Sequence, residues 1–154
     1  METTIIRKRV TLAPKYFTSK IRRHILEKLT EDTATECTET YGYVVEIINN
    51  EITIVENSGN TFLVEFQAKT LKPEKGKELT GRICMVYKDG IFIEVLKRQK
   101  LLVSRQSLTG YIFDEISQTY TKGKKVLAED TEATVTIVNK KYKNNAYSCF
   151  GTIN

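Results

Sequence analysis

Tryptophan is absent from this chain, histidine occurs once, proline twice and cysteine three times. Each scarcity removes a class of function. With His24 as the single imidazole, a Ser-His or Cys-His pair has one possible base and no convergent acid–base set can be assembled. A zinc site wants about four ligands, usually in close pairs. Cys37, Cys84 and Cys149 stand far apart and odd in number, so they read as small buried or half-buried thiols, not as a metal site or a disulfide framework. There is no Gly-rich loop leading into Lys and Ser or Thr to cradle a phosphate. No apolar run is long enough to span a membrane, and Ile5-Ile6 is followed at once by Arg7-Lys8-Arg9, which is no signal region. The expectation is an intracellular binding protein with no cofactor and no catalytic centre of its own.

What is present is ordinary in amount and uneven in place. The chain has 154 residues, 40% apolar and 28% charged, enough for one large domain or two small ones. Its net charge is +5, yet residues 1–75 hold 11 basic and 11 acidic side chains. Residues 76–154 hold 13 basic and 8 acidic, so the excess lies in the second half. Such an excess suits a polyanionic partner through phosphate neutralisation, and equally suits a solvated surface that keeps the protein soluble.

The two prolines act as punctuation. Ile5 to Leu12 is rich in β-branched residues and reads as a first strand, ended by Pro14. Thr18 or Ser19 can cap a helix in which Ile21, Ile25, Leu26 and Leu29 share one face. Tyr41 to Ile48 and Glu51 to Glu56 read as strands joined at Asn49-Asn50, with Asn57 to Asn60 as the next turn. A long alternating strand follows, Phe62, Val64, Phe66 and Ala68 facing one way. One helix and four strands make an α+β unit with the helix on one sheet face.

After the polar joint Lys72 to Lys77 the pattern changes to short strands: Leu79 to Tyr87, Gly90 to Val95 and Lys100 to Ser104. A looser region spans Gln106 to Lys125. Two strands close the chain, one running from Lys125 or Val126 to Val138 and one from Ala146 to Ile153, joined by a basic turn from Lys140 to Asn145. Five strands in so short a segment predict a small Greek-key barrel of the OB type.

Phe92 points the opposite way from its neighbours Ile91 and Ile93. On the outer face of such a barrel a base can stack on it. Lys88, Lys97, Arg98, Lys100 and Arg105 flank that face in sequence, and Lys140, Lys141 and Lys143 surround Tyr142 at the far hairpin. Aromatics interleaved with lysines suit single-stranded RNA held without sequence preference. The alternative keeps Phe92 in the core and Tyr142 as a turn residue.

Several stretches, in collinear order, resemble the seventh-largest-subunit family of RNA polymerase II, which has counterparts in the archaeal polymerase and in the first and third nuclear polymerases. They are Val10 to Phe17, Cys37 to Val44, Phe62 to Ala68, Lys72 to Glu78 with Gly81, and Gly90 to Val95. The Tyr41-Gly42-Tyr43 piece and the Lys72-Pro73-Glu74-Lys75-Gly76 joint carry most of the resemblance. It implies a non-catalytic stalk subunit of a multisubunit DNA-dependent RNA polymerase that assists initiation. Residues 1–72 would be the tip domain that docks on the core subunits beside the clamp, through Pro14, Tyr16, Phe17, Tyr41, Gly42, Asn57, Ser58 and Gly59. Residues 73–77, with Lys72, Pro73 and Gly76, would form the joint along which a fourth-subunit-type partner binds. Residues 78–154 would be an OB domain contacting nascent single-stranded RNA. The chain departs from the pattern in three places. Ile47 to Asn60 is short for the family's tip loop. Asp89 and Ser104 stand where RNA-binding OB domains often carry an aromatic and a histidine. Little follows Ile153. These mark a compact form, of the kind a viral or reduced genome encodes, working in the nucleus of a cell or at a viral cytoplasmic replication site or virion. The competing reading is a free-standing OB RNA-binding protein of the exosome-cap or translation-factor type.

Overall fold

A computed structural model describes residues 2–153, which divide into two compact units between Lys72 and Pro73. The described residues are mostly β with one α-helix. The first unit runs β1 (Glu2–Thr11), α1 (Ile21–Ala34), β2 (Cys37–Thr38), β3 (Gly42–Ile47), β4 (Thr53–Ser58) and β5 (Thr61–Leu71). β5 is its spine. β1 pairs with it antiparallel from Glu2↔Thr70 to Thr11↔Thr61, while β4 and β3 share its other edge and β2 extends β3. The expected alternation holds: Phe62, Val64, Phe66 and Ala68 are 2%, 0%, 3% and 0% exposed and form one core with Ile6, Val10, Ile25 and Leu29. Burying Ile25 and Leu29 stabilises the helix–sheet contact by about 1.5–3 kcal/mol each. Leu29→Ala would therefore undo more than the weak propensity of this short helix can supply.

The helix does not begin with the expected cap. Its N-cap is Lys20, which makes no side-chain cap bond. Thr18 acts one step earlier: its hydroxyl accepts from the Lys20 amide at 3.2 Å and its carbonyl from Ile21 at 3.1 Å. Asn57 and Ser58 are also not turn residues. They end β4, paired with Phe62 and Thr61, and the hairpin turn is Gly59-Asn60 alone. The Asn49-Asn50 turn forms as the sequence suggests, with φ of 58° and 51°, a left-handed conformation that asparagine tolerates. Gly42 has φ +71°, and a Cβ there would strike the Leu71 carbonyl oxygen. Only glycine lets β3 start this close to the end of β5.

The second unit contains β6 (Glu78–Tyr87), β7 (Gly90–Val95), β8 (Gln99–Ser104), β9 (Ile112–Asp114), β10 (Thr119–Lys122), β11 (Lys125–Leu127), β12 (Glu132–Lys143) and β13 (Ala146–Ile153). Five of them close into a barrel in the order β12-β13-β8-β7-β6, with β6 returning to β12. All its pairs are antiparallel except β13–β8. Ile83, Ile91, Ile93, Leu101, Val103, Val135 and Ile137 fill it, none more than 1% exposed. A bulge between Ile83 and Met85 bends β6, so that Ile83 pairs with Ile93 and Val86 with Ile91. Gly76, with φ +88°, donates to the Ile137 carbonyl at 2.7 Å, and the Ile137 amide donates to Lys77 at 2.9 Å. The joint is thus pinned to the barrel from Gly76 onward.

Two sequence expectations fail here. The stretch Gln106 to Lys125 is not loose: it holds β9 and β10 and ends at β11, and these form a three-stranded sheet. Its centre is Tyr120, fully buried, its ring 5.0 Å from Phe113 and its hydroxyl 2.8 and 2.9 Å from the carbonyl oxygens of Tyr87 and Lys88. Nor is Lys140 to Asn145 a turn. β12 starts late, at Glu132, and runs through Lys143, leaving Asn144-Asn145 as a two-residue turn with φ of 54° and 61°.

Candidate docking and nucleic-acid surfaces

Most of the proposed docking residues meet at one end of the first sheet. The Leu12 amide donates to the Asn60 carbonyl at 3.0 Å, which sets the Gly59-Asn60 turn beside the chain leaving β1. Pro14 opens a short 3-10 turn, Pro14–Tyr16, its missing amide harmless at that position. Tyr16 and Phe17 are 38% and 44% exposed. Each ring packs against another: Tyr16 lies 5.0 Å from the His24 ring, and Phe17 meets Phe62 edge-on at 5.7 Å. The Lys15 ammonium sits 5.1 Å over the Tyr16 ring. Held but uncovered aromatic rings offer contact area at small entropic cost, as interface anchors do.

Tyr41 and Gly42 are elsewhere. They precede Tyr43, which pairs with Leu71 at the far end of β5, about ten residues or roughly 33 Å along the strand from Thr61. Tyr41 is engaged internally. Its hydroxyl donates to Glu36 at 2.6 Å, and the Lys8 ammonium holds the other carboxylate oxygen of Glu36. Burial would raise the Glu36 carboxyl, but the hydrogen bonds from Lys8 and Tyr41 and the Lys8 charge outweigh it and hold it below its usual value. Burial first, then the Glu36 carboxylate, push the Tyr41 phenol well above its ordinary range. The trio ties β1, the segment after α1 and the start of β3 together.

On the barrel, Phe92 is half-buried on the outer face while Ile91 and Ile93 point inward. Register supplies its neighbours: Met85 on β6 and Leu102 on β8 are its cross-strand partners, Phe150 on β13 is the partner of Leu102, and Asn139 on β12 that of Phe150. Tyr87 adds a ring 5.9 Å from Phe92. Met85 and Phe150 are 51% and 42% exposed. The sequence reading missed Met85, Leu102 and Phe150. The alternation Tyr147, Cys149, Gly151 inward with Phe150 between them was the signal that could have found the last.

The cations divide into groups. Lys100 pairs with Glu94 on the Phe92 face, and Lys141 and Lys143 alternate with Asn139 onto the same side of β12. Lys88 and Arg105 sit together at one end of the β7–β8 pair, where the Arg105 amide donates to the Asp89 carbonyl at 2.9 Å. Lys97 and Arg98 lie in the turn at the other end. Lys140 and Tyr142 belong to the opposite side of β12. Their register partners are the buried Cys149 and Tyr147, the Lys140 ammonium is 5.6 Å from the Tyr147 ring, and the Tyr142 ring packs tilted at 60° against Tyr147 with centroids 5.0 Å apart. These two are therefore not brought to Phe92. Among the described residues no group of three or more His, Cys, Asp or Glu could hold a metal ion, and no helix is long and apolar enough to cross a membrane.

No family model matches the chain. Curated relatives do. The soybean (Glycine max) DNA-directed RNA polymerase II subunit RPB7 is 26% identical over 162 residues, covering 97% of this chain and 89% of the relative. The Arabidopsis thaliana DNA-directed RNA polymerase II subunit 7 is 25% identical over 158 residues with the same coverage. The Saccharomyces cerevisiae RPB7 subunit is 26% identical over 94 residues, 56% of this chain and 54% of its own. A solved structure of apo Mycoplasma genitalium RNase R overlaps 50% of this chain and 13% of its own at TM-score 0.41 and 16% identity, too slight a likeness to argue from. Similarity running through both units and nearly end to end supports placing this chain in the seventh-subunit family of RNA polymerase II.

Proposed function

We propose that this protein is the non-catalytic stalk subunit of a multisubunit DNA-dependent RNA polymerase, docking on the core near the clamp, assisting initiation and touching nascent RNA. The observation that carries the reading is the collinear similarity to polymerase II seventh subunits across 97% of the chain. Residues 1–72 act as the docking tip, with Tyr16, Phe17 and the Gly59 turn as its contact end. A fourth-subunit-type partner binds along Lys72 to Lys77. Residues 78–154 form an OB-type barrel, a reading supported by the strand order β6-β7-β8-β13-β12 and the single parallel pair β8–β13. Its outer face around Phe92, Lys88, Lys100, Arg105 and Lys141 meets the RNA.

The test is recovery of the tagged full-length protein from its native source, followed by peptide identification. The two large catalytic polymerase subunits should come with it, and Phe17→Ala should lower their yield several-fold while the isolated protein keeps its circular dichroism spectrum. Recovery of none of the large subunits would end the proposal.

A further inference from the structure

The most exposed large apolar side chain among the described residues is Ile116, at 97%, and it stands in the turn between β9 and β10. A β-branched residue is a poor choice there, since turns favour Gly, Pro, Asn, Asp and Ser. The turn is nevertheless held firmly. One carboxylate oxygen of Asp114 accepts from the amides of Ile116 and Ser117, at 3.0 and 3.5 Å. The Ser117 and Thr119 hydroxyls lie 2.8 Å apart, and the Gln118 side-chain amide donates to the Glu115 carbonyl at 2.8 Å. The fold thus fixes an isoleucine in water, where its side chain gains nothing.

The same small sheet uncovers two more apolar residues. Ile112 on β9 and Val126 on β11 are both register partners of Thr121 on β10, so the three make one β-branched row across the sheet. Ile112 is 72% exposed and Val126 52%. The alternate row, Phe113, Tyr120 and Leu127, takes the opposite face, where Tyr120 is fully buried. Apolar side chains gathered on one exposed element mark an interaction site.

The charges beside Ile116 say what fits it. Asp114 and Glu115 flank it in a unit of fourteen basic and nine acidic side chains. Hydrogen bonds, first from the Ile116 amide and then from Ser117, hold the Asp114 carboxyl below its usual range, so it keeps its charge. Two carboxylates repel phosphate, and isoleucine has no ring for a base to stack on, so nucleic acid does not match. An anionic membrane surface is repelled in the same way. A protein with an apolar hollow and cations at its rim does match. One projecting side chain suits a hollow, and a turn fixed beforehand loses little entropy on contact.

We propose that the β9–β10 turn is a docking knob, with Ile116 entering an apolar socket rimmed by lysine or arginine on a protein partner. Asp114 and Glu115 face the rim cations, and Ile112 and Val126 add contact area. The knob belongs to the second unit, whereas Tyr16 and Phe17 belong to the first, so it gives the chain a protein contact beyond the stalk reading.

Site-specific photo-cross-linking tests this in the full-length protein expressed in its native source. Ser117→p-benzoylphenylalanine places the cross-linker beside an intact Ile116. Peptide sequencing should find it joined to one protein, at apolar residues next to lysine or arginine. That protein, purified, is then titrated with the full chain by calorimetry. Ile116→Ser should weaken binding about 10- to 150-fold, the worth of one isoleucine withdrawn from a pocket. Ile116→Val should keep most of the affinity. Asp114→Asn, which retains the acceptor oxygen of the turn, should weaken binding about 2- to 5-fold at low salt and little at high salt. Circular dichroism shows that each variant is folded. No cross-link from position 117, or one to nucleic acid or to a second copy of this chain, overturns the proposal. A partner whose affinity is unmoved by either Ile116→Ser or Asp114→Asn does the same. The stalk reading is judged separately, by recovery of the large polymerase subunits with the unaltered chain, so either can fail alone.

Discussion

Replacing Glu36 by glutamine should cost the first unit about 1–2 kcal/mol at pH 7, and most of that cost should vanish in acid. Glu36 accepts from Tyr41 at 2.6 Å and holds the Lys8 ammonium, with side chains of Lys8 and Glu36 only 21% and 28% exposed. Exposed ion pairs stabilise by about 0.2–1 kcal/mol, whereas hydrogen bonds to charged groups reach about 1.5–3. A half-buried pair with a second donor falls between them. The sign of the pH dependence follows from the direction of the shift. The folded carboxyl is held below its usual value near 4.5, so its stabilising contribution is complete above that pH and is lost as pH falls through the lower folded value. Glutamine has no such dependence. Urea unfolding followed by tyrosine fluorescence and circular dichroism, at pH 7 and again near pH 3, measures both. In a double-mutant cycle, Tyr41→Phe and Glu36→Ala should couple by more than about 0.5 kcal/mol because each removes the same bond. A penalty equal at both pH values, or no coupling, would refute the network as a source of stability.

Gly42→Ala should destabilise by at least about 2 kcal/mol, since a left-handed φ alone costs an L residue about 1–2 and the new Cβ meets the Leu71 carbonyl. Chemical denaturation measures it; unchanged stability with lost polymerase recovery would instead make Gly42 a docking residue. Tyr120→Phe should cost about 1–3 kcal/mol, because the carbonyls of Tyr87 and Lys88 lose their donor. Hydrogen exchange should then quicken at Tyr87 and Lys88, and no change there would show that the turn is held by other means.

How far the sequence reached depends on how long each element is. β5 was legible to the residue because eleven positions of alternation leave one choice of inward face. β7 and β13 were equally plain. β9, β10 and β11 were not, since three or four residues cannot display a period, and their order comes from Tyr120 being buried under carbonyls far away in sequence. The Lys140 to Lys143 run looked like a turn because a single aromatic, Tyr142, among three lysines displays no period. It stays in strand because the register with β13 continues past the barrel wall to Asn144-Asn145. Where the proposed docking residues lie was half legible for the same reason. Pro14, Tyr16 and Phe17 are adjacent in sequence, but only the β1–β5 register shows that Gly59 is their neighbour and that Tyr41 is a sheet's length away.

The two units therefore put different physics at their proposed surfaces. The first holds ten basic and ten acidic side chains up to Lys72, and its proposed contact end carries the exposed rings of Tyr16 and Phe17. Contacts of that kind depend on shape and apolar area and are little screened by salt. From Pro73 onward the count is fourteen basic to nine acidic, and the outward row of Met85, Phe92, Leu102 and Phe150 lies between cations. A single strand on that row would exchange counterions for lysines, so its hold would weaken steeply with salt while stacking would remain. An adaptor has use for this division. In the proposed stalk role a neutral, apolar attachment would stay fixed to one protein partner, while a salt-sensitive, sequence-tolerant face would let a lengthening transcript slide past without being gripped.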